Sequence, residues 1–123
     1  MDRRDHDNLR NKILRSEEDL SQMVIRLAQT APADAIICAT ETGAFATRVH
    51  GLSRQVRVIA ATTNAETYDA LTKKNLETLR LSIRAIDRHN QVRHMLSVAL
   101  RSQRVSVGDL VLCALGRNVY GKG

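Results

Sequence analysis

The stretch Ala35-Ile36-Ile37-Cys38-Ala39-Thr40-Glu41-Thr42-Gly43 opens as an unbroken apolar run, turns polar through two threonines and a carboxylate, and stops at a glycine. Five apolar residues in a row are what a central strand covered on both faces requires. Ala44-Phe45-Ala46-Thr47-Arg48-Val49-His50 then has amphipathic helical spacing, so a buried strand feeds a helix over residues 43–52. A helix start carries amides without intrahelical acceptors and the positive end of the macrodipole. Hydroxyls and a glycine there mark Thr40, Glu41, Thr42, Gly43, Ala44 and Phe45 as a candidate anion or phosphate cradle. The plainer alternative is a capped helix whose threonines satisfy those amides.

Outward from this stretch the pattern alternates. Upstream, Ser16 precedes Glu17, Glu18 and Asp19, and Leu20, Val24, Leu27 and Ala28 form an apolar stripe, so a helix runs from about residue 17 to 29. Residues 1–15 are polar, with Leu9, Ile13 and Leu14 at helical spacing, and read as an N-terminal helical arm ahead of a domain over 16–123. Downstream, Val56 to Ala61 reads as a second strand, and Thr63 with Glu66 has capping-box spacing for a helix through Leu76. Leu79, Leu81 and Ile83 alternate with Arg80, Ser82 and Arg84, as in an edge strand protected by charge. A helix over 87–104 presents Val92, Met95, Leu96, Val98 and Ala99 inward and Arg93, Ser97, Arg101 and Arg104 outward, and Gly108-Asp109 launches a fourth strand to Leu115.

Alternating helices and strands joined by short turns imply an α/β fold with a mainly parallel sheet and helices on both faces. The 123 residues make one domain, long enough to bury roughly two thirds of the unfolded surface. The charged start excludes a signal peptide, and the apolar runs are strand-length, so no membrane span is expected and the expected location is cytoplasmic. Cys38 and Cys113 sit inside apolar runs, as buried reduced thiols do. A net charge of +6 favours polyanions in general, but Phe45, Tyr68 and Tyr120 are too scattered for a base-stacking platform, which argues against nucleic acid.

Three motifs in register resemble the C-terminal α/β domain of pyruvate kinase. Residues 35–43 are similar to that family's apolar strand followed by Thr-Glu-Ser-Gly. Val58-Ile59-Ala60-Ala61-Thr62-Thr63-Asn64-Ala65-Glu66-Thr67 is similar to its Ile-Ile-Ala-Val-Thr-x-Asn-x-x-Thr, and Gly108-Asp109-Leu110-Val111-Leu112 supplies the third. The likeness also extends to the N-terminal domain of archaeal diadenylate cyclases. It implies a three-layer α/β/α sandwich with strand order 3-2-1-4, and a domain that carries no chemistry and needs no cofactor. In many pyruvate kinases the loop after the first strand holds a phosphate of a sugar-phosphate effector, and Thr40, Thr42 and Gly43 match that loop. The chain departs from the pattern at Phe45, where the family has a small hydroxyl residue, and at Gly116–Gly123, where the family continues into an effector loop and a fifth, antiparallel strand.

That strand order would place the first and fourth strands side by side, with a ligand cleft between their carboxyl ends lined by residues 40–45 and 116–122, Arg117 supplying charge. Gly43→Val is then expected to abolish ligand-induced stabilisation while leaving the fold intact. No GxGxxG or P-loop occurs, His89 and His94 are five apart and misaligned for a helical metal pair, and Asp34, Glu41, Asp69 and Asp109 show no acid/base pairing. The expectation is a non-catalytic domain that senses a phosphorylated small molecule and acts with a partner or fused enzyme. An oligomerisation module using the open flank of the fourth strand is the alternative.

Overall fold

The computed structural model describes residues 16–53, 55–82 and 87–115. In chain order these form α1 (Ser16–Thr30), β1 (Ala35–Ala39), α2 (Ala44–Leu52), β2 (Arg57–Thr62), α3 (Ala65–Lys73), β3 (Glu77–Arg80), α4 (Arg88–Arg101) and β4 (Val111–Leu115). The sheet order is β3-β2-β1-β4 and every pairing is parallel, as expected. The N-terminal arm, Ile83, Arg84 and residues 116–123 lie outside the described residues.

Period-two alternation divides β1 between two cores. Ile36 and Cys38 join Val58, Ala60, Val24, Ala28, Phe45, Val49 and Leu71 on the side of α1, α2 and α3. Ile37 and Ala39 join Ile59, Ala61, Leu79, Met95 and Ala99 on the side of α4. Right-handed crossovers require this split, because β2 and β3 step one way from β1 while β4 lies on its other side. Each fully buried Ile or Phe contributes roughly 1.5–3 kcal/mol. Asp34 locks the start of β1 to β4: its amide donates to the Leu110 carbonyl at 2.7 Å, and its carboxylate accepts the Leu110 amide at 2.8 Å.

Several boundaries differ from the sequence reading. The cap of α3 is Asn64, whose side chain accepts the Thr67 amide at 3.0 Å, because Thr63 is committed to Glu41. α3 stops at Lys73 because Asn75 adopts φ 65°, which returns the Leu76 amide to the Leu71 carbonyl at 3.0 Å. On α4, Asp87 is the cap, and the row Gln91, Met95, Ala99 is buried while Val92, Leu96 and Val98 are half-buried. Gln103 at φ 62° ends that helix, and Arg104 leaves the outward face to bond Glu77. On α1 the buried row is Ser21, Val24 and Ala28, and Leu27 is exposed. Strand β3 begins earlier, at Glu77, and buries both Thr78 and Leu79 because helices cover both of its faces.

Candidate anion site at the β1–α2 turn

The Thr40 amide donates to the Ala61 carbonyl at 2.9 Å, carrying the sheet one residue past β1. Its hydroxyl, buried, accepts the Gly43 amide at 2.9 Å and folds the turn back on itself. Gly43 is the N-cap of α2 at φ 92°, ψ −11°. Both backbone and space demand glycine there: a Cβ would lie 3.2 Å from Leu71 Cδ2 and 3.5 Å from Thr67 Cγ2. Gly43→Val is therefore expected to damage the fold as well as the turn, correcting the sequence expectation.

A glycine cap has no side chain, so Gly43 itself makes no side-chain cap hydrogen bond. Exposed Thr42 accepts the Ala44 amide at 3.3 Å, and the Thr47 amide makes the first helical bond to the Gly43 carbonyl at 3.0 Å. The turn opens on a concavity of about 410 Å³ between α2 and α3, lined by Thr42, Gly43, Thr47, Arg48 and Lys74 among others. Two cations and two hydroxyls thus line the hollow at the positive end of α2.

Each site residue named from sequence has a distinct place. Thr42 and Gly43 line the hollow, with Ala44 at its rim. Thr40 builds the turn from beneath. Phe45 is 1% exposed, so its ring is core and only its backbone faces the turn. Glu41 points to the β2–α3 turn: its carboxylate accepts the Thr63 hydroxyl at 2.6 Å, and its carbonyl accepts the Thr67 hydroxyl at 2.7 Å. Arg117 and the expected wall of residues 116–122 lie outside the described residues. The described hollow opens toward α3, not toward β4. Thr47, Arg48 and Lys74 were missed; the first two are exposed residues one turn along α2, and Lys74 is brought in only by tertiary packing.

The other candidates are structural. Cys38 and Cys113 lie on opposite faces of the sheet, and burial pushes their thiols up to about 12 and about 11. Asp109 accepts the Ser106 amide at 2.9 Å in the turn before β4. His89 is exposed and His94 half-buried. No cluster of three or more His, Cys, Asp or Glu side chains forms among the described residues, and no described helix is long and apolar enough to cross a membrane. A second hollow, of about 380 Å³, follows the outer flank of β4 between α1 and α4, lined by Leu20, Met23, Leu27, Val92, Leu112 and Cys113 among others.

The fold has counterparts among known proteins. Residues 18–123 match the family model described as pyruvate kinase, alpha/beta domain. A pyruvate kinase from Cryptosporidium parvum superposes with TM-score 0.71 at 21% identity, covering 84% of this chain and 21% of that one. The same organism's pyruvate kinase in complex with ADP gives 0.69 at 22% identity, covering 81% and 20%. The chain therefore spans about a fifth of the length of these enzymes. No match is found among curated proteins.

Proposed function

Because the chain belongs to the pyruvate kinase alpha/beta domain family, we propose that it is a non-catalytic regulatory domain that binds the phosphate of a phosphorylated small molecule at the β1–α2 turn. It passes occupancy to a partner or fused enzyme. One observation carries the reading: Gly43, the left-handed N-cap, offers no side chain of its own to the positive end of α2, which faces a hollow lined by Arg48 and Lys74. Anion binding there needs no rearrangement of the core.

Thermal unfolding at fixed ionic strength tests it, against sugar phosphates, nucleotides, cyclic dinucleotides and inorganic phosphate. A compound at ~100 times its dissociation constant adds roughly 2.7 kcal/mol, a shift of several degrees. Lys74→Gln should reduce the shift and change the ligand-free midpoint little, since Lys74 is exposed and the substitution places no negative charge at the C-terminal end of α3. A flat panel with the wild type would defeat the reading.

A second reading has its own observation. The β4 flank is uncharged from Val111 to Leu115, and Met23 and Leu27 beside it are 56% and 51% exposed. An apolar edge of this kind suits assembly with a second copy. Sedimentation velocity checks it: Leu27→Asp should convert an oligomer to monomer, and a wild type that sediments only as monomer opposes it.

A further inference from the structure

We propose that Thr67, Glu41 and Thr63 form a clasp that couples the first two βα turns and positions the Gly43 turn; its ligand half rests on the anion reading above. β1 and β2 run in register with Ala39 beside Ala61, so their turns emerge as neighbours. Thr67 is the hub of the contact. Its amide is held by the Asn64 side chain at 3.0 Å, its hydroxyl donates to the Glu41 carbonyl at 2.7 Å, and its methyl carbon lies 3.5 Å from where a Gly43 Cβ would stand. The first turn of α3 thus holds the backbone before Thr42 by a hydrogen bond and fills the space beside the glycine after it.

The Glu41 side chain continues across the gap. One oxygen accepts the Thr63 hydroxyl at 2.6 Å and the other the Thr63 amide at 3.4 Å. Its negative charge therefore sits beside the positive end of α3, immediately before that helix's Asn64 cap. The one carboxylate of the turn is held away from the start of α2, where it would oppose an incoming anion. Glu41 and Thr67 are positioning residues in this scheme: they hold the left-handed turn and keep its own acid out of the hollow.

Amide exchange and inorganic phosphate titration, both followed by NMR, test the clasp on the whole chain. Thr67→Val keeps the shape and deletes the hydroxyl. It is expected to accelerate exchange of the Gly43 and Ala44 amides about tenfold and weaken phosphate binding by a similar factor, the scale of one hydrogen bond. Thr67→Ser should restore both. Thr63→Val, which cuts the clasp at its other end, should accelerate the same two amides and covers the case in which Thr67→Val does not fold. Unchanged exchange at Gly43 and Ala44 overturns the proposal. So does equal acceleration in Thr67→Ser, which would assign the effect to methyl packing, and so does phosphate binding that Thr67→Val leaves intact. Wild type that binds no phosphate, yet shows the exchange pattern with serine rescue, sustains the coupling and sinks the anion reading instead.

Discussion

Gly43 shows how much one residue can decide. At φ 92° an L side chain costs about 1–2 kcal/mol in backbone energy alone. The Leu71 side chain that a Cβ would meet at 3.2 Å must give way as well. Gly43→Ala should thus lower stability by about 2 kcal/mol or more in a denaturant titration, with an unchanged slope. Glu77 offers a pH-dependent counterpart. The Arg57 guanidinium, bonded to it through Nε at 2.6 Å and also through Nη2, holds its carboxyl below the ordinary range, and Arg104 at 2.9 Å adds to this. A lowered folded pKa stabilises above the unfolded value, and that stability is lost as pH falls through the folded one. Glu77→Gln should therefore cost about 1 kcal/mol or less at neutral pH, because the partners are half exposed, and nothing in strong acid. Thermal midpoints of the two proteins should converge as the pH is lowered.

Among the elements, those with dense periodic signals were legible and those set by tertiary contact were not. β1 falls at Ala35–Ala39 because five apolar residues have no other use, and α2 follows because its glycine and amphipathic spacing agree. The start of α3 was misread one residue away. Thr63 and Glu66 satisfy a capping-box pattern, but Glu41, distant in sequence, takes the Thr63 hydroxyl, and Asn64 becomes the cap. Asn64→Ala should cost about 1 kcal/mol in thermal or chemical unfolding, whereas Thr63→Val should leave the helix content by circular dichroism unchanged. The candidate site was half legible for the same reason. Thr42 and Gly43 stand out in the chain, but the side chains that wall the hollow from α3 carry no local mark, and Phe45 turned inward because the helix periodicity that buries Val49 buries it too.

At the scale of the molecule, the strand order 3-2-1-4 and the layered core follow from alternating elements and crossover handedness, and both were readable. The two edges of the sheet differ. β3 is short and carries Glu77 and Arg80, whereas β4 is wholly apolar. Because Cys38 and Cys113 belong to opposite faces, mild oxidants should leave both thiols free within a single chain, checked by mass after alkylation. The placing of β4 also has a bearing on synthesis. Among the described strands β1 is made first, yet one of its two neighbours is made last, tied to it by the Asp34–Leu110 pair across 76 residues. In the interval after β3 has emerged and before β4 does, β2 and β3 can already dock, but one side of Ile36 and Ile37 has no strand to pair with. The nascent chain thus carries a sticky intermediate until Val111–Leu115 clears the exit tunnel, and a chaperone that binds extended apolar segments would find its target at the centre of the finished sheet.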